Sequence, residues 1–325
     1  MFQQGDPVAA IDRPADASRS QAIRPSATRK TPSPARPGRK TKPTATRKSA
    51  PSLFQRIFGA RKLGLDALPH ARFSHTSMGV RSFVVAGHGA PTVVFESGLG
   101  HGKRIWGPVF NGVCAVTRAV AYDRAGYGQS EVSEQPRSGL QIVAELRALL
   151  QAEGLGPPYV LVGHSLGGTY MKLFAKMYPA EVAGVVLVDA RHSEFTQRCR
   201  QLGVPRLLYE PPEALLTLLA PTPRAELEAA PLSLKQARKG GVFPAVPLIV
   251  LTQSSAAERW PARLGKVWAA SQRNMAKLSS LGRIKVLDDS GHNVHVDRPD
   301  VVVRAVLSVV RAARYLDHQV QRRKR

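Results

Sequence analysis

Cysteine is nearly missing from this chain: Cys114 and Cys199 are the two among 325 residues, far apart. Neither a disulfide framework nor a paired-thiolate metal site can be read from them, so both are expected to be ordinary core or surface thiols. Long apolar runs are missing too. No stretch reaches the ~18 residues that suggest a membrane span. The start, MFQQGDPVAAIDRPAD, has neither the charged beginning nor the apolar stretch of a secretory signal. Residues 1–50 are Ser/Arg-rich and acid-poor, as organelle transit peptides are, but hold too many prolines and too few bulky apolar residues for an amphipathic helix. A cytoplasmic location is the default expectation.

Acidic residues are scarce: 23 Asp+Glu face 47 Lys+Arg, a formal net charge of +24. The excess is uneven. Residues 1–63 carry 14 basic and 3 acidic side chains, and Arg322, Arg323, Lys324 and Arg325 add four positive charges. The interior, 64–321, keeps 29 basic and 20 acidic residues, so the composition requires no basic patch within the domain. The tails can attract an anionic membrane surface or nucleic acid non-specifically, or simply be solvated.

Three parts are expected. Residues 1–63 form a basic, Pro/Ser/Thr-rich disordered tail, because over residues 1–51 too few large apolar side chains offset chain entropy. Near its end SLFQRIFGARK (52–62) puts Leu53, Phe54, Ile57 and Phe58 on one helical face, to pack on the domain or lie on a membrane surface. Residues 64–320 form the main domain, and 321–325 a basic C-terminal tail.

Within the domain, strand signals occur at 71–79, 81–87, 91–98, 119–126, 159–163, 182–190, 247–253 and 283–289. Helical spacing occurs over 139–153 (Leu140, Ile142, Val143, Leu146, Leu149), 167–178 and 299–315, the last opening on Pro299. The alternation predicts an α/β fold: a mostly parallel central sheet with helices on both faces. Residues 191–243, rich in Leu, Pro, Arg and Glu and containing EALLTLLA (213–220), break the rhythm and are read as a small helical lid inserted between the sixth and seventh strands.

The chemistry centres on YVLVGHSLGG (159–168). A G-x-S-x-G pattern between an apolar strand and an amphipathic helix places Ser165 on a sharp, strained turn at a helix N-terminus, its hydroxyl exposed. A serine hydroxyl needs a base. His292, in DSGHN after the strand ending near Asp288, is the candidate, with His295 three residues on as competitor; His75 and His88 are read as surface or loop residues. The orienting carboxylate is Asp189 at the end of VVLVDA, with Glu258 the alternative. Asp189 could instead be a cap or a support for the lid. An oxyanion hole is assigned to the N–H groups of Leu166 and, from the glycine-rich GLGHG (98–102), Leu99.

With these residues in view, the chain from about 70 to 315 resembles the α/β-hydrolase fold superfamily, specifically its esterase/lipase-like group with a helical lid. The resemblance is carried by ESGLG (96–100), YDRAGYGQS (122–130), GHSLG (163–167) and SGH (290–292). It implies structural roles for Asp123 and Arg124, turn-shaping roles for Gly126 and Gly128, and the chain order nucleophile, acid, base. This sequence has no aspartate after PLIVLTQ, where many members carry the acid; others carry it one strand earlier, as Asp189 would be. It has Ser97-Gly98 where many have His-Gly. The function expected is hydrolysis of a carboxylic ester, on an apolar ester-like small molecule, through an acyl-enzyme, with neither metal nor organic cofactor. Thioester, lactone or amide hydrolysis and cofactor-free haloperoxidase chemistry fit the same site. Haloalkane dehalogenation fits poorly, since it needs Asp at position 165. The reading from another class is a non-catalytic ligand receptor or docking module on the same scaffold.

Overall fold

The computed structural model describes residues 68–210, 212–254 and 261–323. The amphipathic segment 52–62 and most of the basic tails lie outside them, as does Glu258.

Strands β1 (Arg72–Thr76), β2 (Gly79–Ala86), β3 (Thr92–Glu96), β4 (Ala119–Tyr122), β5 (Tyr159–His164), β6 (Val182–Val188), β7 (Leu248–Gln253) and β8 (Gly282–Leu287) form one sheet in the order β1-β2-β4-β3-β5-β6-β7-β8. The first hairpin and the β2–β4 pair are antiparallel, and every later pair is parallel. Central strands are β-branched, nearly unbroken apolar runs because both faces are covered. Val94, Leu161 and Leu187 face one layer, with Ile142, Leu146 and Leu149 of α2 (Gly139–Ala152) and Leu173 and Phe174 of α3 (Leu166–Met177). Val93, Val160 and Val186, one residue out of phase, face the other, with Phe110 of α1 (Gly107–Cys114) and Val302, Val306 and Val309 of α7 (Pro299–Arg323). That period-two switch makes a two-sided core from single strands. β8 lies at the sheet edge and carries Arg283 and Lys285, charges that discourage further pairing.

Three details differ from the sequence reading. Leu140 is largely exposed, and Leu150 takes its place in the core. The last helix runs on to Arg323, past both 315 and the expected boundary at 320, although its buried stripe ends at Ala313; the remaining residues extend an already nucleated helix, which costs little. EALLTLLA is helical only over Glu213–Leu216.

Between β6 and β7 stand α4 (Phe195–Gln201) and α5 (Pro221–Lys239). α4 packs on α6 (Ala262–Ala276) through Phe195, Cys199, Val267 and Trp268. α5 lies along α2 and α3. Its Ser233 Oγ accepts the Gly139 N–H (2.9 Å) and its Gln236 Oε1 the Leu140 N–H (3.0 Å), so α5 caps the first turn of α2.

Candidate active site

Ser165 joins β5 to α3 with φ 52° and ψ −120°, a conformation rare for a residue with a side chain. Glycines make the bend possible: a Cβ on Gly163 would sit 2.7 Å from Gly168 Cα, and one on Gly167 2.4 Å from the Ser97 carbonyl oxygen. The serine thus stands at the strand's C-terminal end with the N–H groups of the first turn of α3, Leu166 foremost, beside it.

The His292 ring lies between this serine and a buried carboxylate. Its Nε2 is 3.0 Å from Ser165 Oγ, and its Nδ1 2.7 Å from Asp189 Oδ2. A carboxylate only accepts, so Nδ1 carries the hydrogen and Nε2 is left to accept from the serine hydroxyl. Asp189 directly follows β6, has φ 41° and is fully buried. Its other oxygen, Oδ1, accepts from Thr252 Oγ1 (2.6 Å) and Trp268 Nε1 (3.0 Å). Of the two histidines considered, His292 rather than His295 reaches the serine. His295 is buried and packs, tilted, against Trp106 and His164, ring centroids 4.6 and 4.3 Å away. His75 and His88 are exposed.

Sequence reasoning missed several supports. Thr252 was legible in principle: the parallel register pairs Val188 with Leu251, so the next residues, Asp189 and Thr252, come side by side at the strand ends. Trp268 arrives from a helix 79 residues away, and no local pattern marks it. His164, inside the motif, is fully buried, and its Nε2 donates to the His292 carbonyl (3.0 Å), tying the histidine loop to the serine strand. Burial, then neighbouring His295 and His292, hold its pKa well below the usual imidazole value. Burial, with His101 and His292, does the same to His295. His101 is pushed down to about 4 by burial and by His292 and Arg124. These rings are therefore neutral packing around His292.

The loop after β3 approaches the serine closely: a Cβ on Gly98 would lie 3.3 Å from Ser165 Cβ. Arg124 holds this loop, donating to the carbonyls of Ser97 (2.7 Å) and Gly98 (3.0 Å), while the Gly100 N–H donates to Tyr127 Oη (3.2 Å). Arg124 is itself held by Glu96 and, from α5, by both oxygens of Glu226 at 2.8 and 2.9 Å. Asp123 accepts from the Lys103 backbone N–H and pairs with its ammonium. Gly126 and Gly128 have φ 74° and 52°, and a Cβ on Gly128 would strike the Asp123 carboxylate. These are the structural roles expected of the 122–130 turn. Among the described residues, no group of three or more His, Cys, Asp or Glu side chains could hold a metal ion, and no helix is long and apolar enough to cross a membrane.

The sheet order, the strained serine at the β5–α3 bend and the sequence itself agree on one class: the chain belongs to the Alpha/beta hydrolase family, whose model matches residues 93–305. It is 28% identical over 228 residues to the protein YqjL of Bacillus subtilis, covering 70% of this chain and 86% of that one. Among solved structures it is similar to a thermophilic esterase from Thermogutta terrifontis, with TM-score 0.54, 21% identity, and 75% of this chain and 99% of that chain covered. It is also similar to a bromoperoxidase from Bacillus anthracis, with TM-score 0.57, 16% identity, and 74% and 100% covered. At those identities the structural likenesses speak for the fold.

Proposed function

We propose that this protein is a serine hydrolase that cleaves a carboxylic ester, or a related acyl bond, through an acyl-enzyme. One observation carries the reading: an unbroken hydrogen-bonded chain from buried Asp189 through His292 to Ser165, with links of 2.7 and 3.0 Å. In the proposed reaction Ser165 Oγ bonds to the acyl carbon while its proton passes to His292 Nε2. The imidazolium so formed is stabilised by Asp189 through Nδ1–H. Negative charge on the carbonyl oxygen collects against the N–H groups of Leu166 and Leu99. The intermediate expels the leaving alkoxide, which takes the proton from Nε2. Water, deprotonated by the same nitrogen, then attacks the acyl carbon, and the serine regains its proton as the acid leaves. An apolar acyl or alcohol portion suits the Leu-rich insertion. The esterase likeness supports ester as the default bond, and the bromoperoxidase likeness makes peroxide-dependent halogenation the assay to run beside it.

Fluorophosphonate labelling tests the reading directly. We expect one label per chain, on Ser165, lost in Ser165→Ala and His292→Ala, and turnover in a series of p-nitrophenyl esters of increasing acyl length. A folded protein that takes no label and turns over no ester would leave the docking-module reading in its place.

A further inference from the structure

Five Lys or Arg side chains are buried among the described residues, and four have a carboxylate partner: Arg81 and Arg137 with Glu145, Lys103 with Asp123, and Arg124 with Glu96 and Glu226. The fifth is Lys172 of α3, 4% exposed. Its ammonium donates to the Arg191 carbonyl (2.9 Å) and to Met275 Sδ (3.4 Å), both neutral. A buried ammonium satisfied only by neutral acceptors is costly unless something supplies negative charge.

Lys172 lines a cavity of about 230 Å³ that holds no residue of the Ser165 site. The lining is rich in donors and cations. Lys176 and Arg238 contribute further positive charge, and Ser193 and Asn274 contribute polar groups. His192 Nδ1 accepts the Glu194 N–H (3.1 Å), so its neutral ring carries a hydrogen on Nε2. Glu194, the one carboxylate in the lining, is paired with Arg198 at 3.0 and 3.3 Å. Burial, then neighbouring Lys176, lower the Lys172 ammonium to about 7, and burial, then Lys172, lower His192 to about 4, against a smaller opposing pull from Glu194.

We propose that this cavity binds a small oxyanion, a carboxylate or phosphate group, with Lys172 as the buried cation and Lys176 and Arg238 completing the charge. The size fits: the volume is below the ~300–1,000 Å³ of drug-sized pockets and suits inorganic phosphate or a short carboxylic acid. The site is distinct from the acyl-transfer site and does not depend on it.

The test is thermal unfolding of the full chain at pH 6.0, where the Lys172 ammonium is mostly protonated, with sodium phosphate and, separately, sodium acetate titrated against chloride at matched ionic strength. The two anions distinguish a phosphate site from a carboxylate site. At least one is expected to raise Tm saturably, and Lys172→Met is expected to weaken its apparent affinity at least about tenfold. Far-UV circular dichroism and a cooperative melting transition report whether the variant is folded. Arg238→Gln, on the exposed side of the cavity, is the second variant and is expected to weaken the same anion several-fold. No saturable response to either anion, or a response unchanged in folded Lys172→Met, overturns the proposal. If Lys172→Met does not fold, an unchanged response in Arg238→Gln does so.

Discussion

At the scale of single residues, Asp189 shows how much one carboxylate is asked to do. Oδ2 faces His292, and Oδ1 is held by Thr252 and Trp268, so the group has no freedom to rotate. Asp189→Asn keeps the shape, but with its oxygen left to Thr252 and Trp268 its amide N–H₂ faces His292 Nδ1. That nitrogen must then accept, which puts the ring hydrogen on Nε2, where it cannot take the serine proton. We expect kcat on a p-nitrophenyl ester to fall by about 10²–10⁴-fold with Tm little changed. Thr252→Val removes one donor to a buried carboxylate and leaves the tautomer alone. Denaturant unfolding should show a loss of about 1–3 kcal/mol, with a smaller fall in kcat than for Asp189→Asn.

At the scale of elements, the insertion between β6 and β7 braces the domain. Over α5 it is built into the domain: Ser233 and Gln236 cap α2, and Glu226 reaches Arg124, which in turn holds the carbonyls of Ser97 and Gly98 beside the serine. A helix expected as part of a lid thus supports the proposed oxyanion loop. Glu226→Ala breaks a fully buried ion pair and is expected to lower the unfolding free energy by about 3–5 kcal/mol in denaturant titration. Hydrogen exchange should find the α5 amides protected to a degree similar to those of α3, since the two helices share one core; fast exchange along α5 would contradict that.

At the scale of the whole molecule, pH acts through buried imidazoles. His164 and His295 are held well below the usual histidine value of 6.5, and His101 and His192 at about 4, in every case chiefly by burial. Below pH 6.5 the unfolded chain binds protons that the folded chain excludes. Stability should therefore fall as the pH drops from about 6.5 towards 4, by up to about 1.4 kcal/mol per pH unit for each imidazole. Chemical denaturation at pH 7, 6 and 5 checks this; a flat profile would show that these rings titrate normally.

The chain's own order of residues was enough for the sheet, the bend at Ser165 and the choice of His292, because each rests on local pattern: alternating or continuous apolar runs, glycines around one serine, a Gly-His after a strand. Asp189 was readable as the preferred candidate because it ends a strand between the other two, with Glu258 as the alternative. What holds its carboxylate beside His292 needed the parallel pairing of β6 with β7 and the arrival of Trp268. The same holds for Glu226 on Arg124 and for the uncompensated charge at Lys172. Patterning along a chain records which face of an element is buried. Which charge meets which, across dozens of residues, is decided only when the layers close on one another.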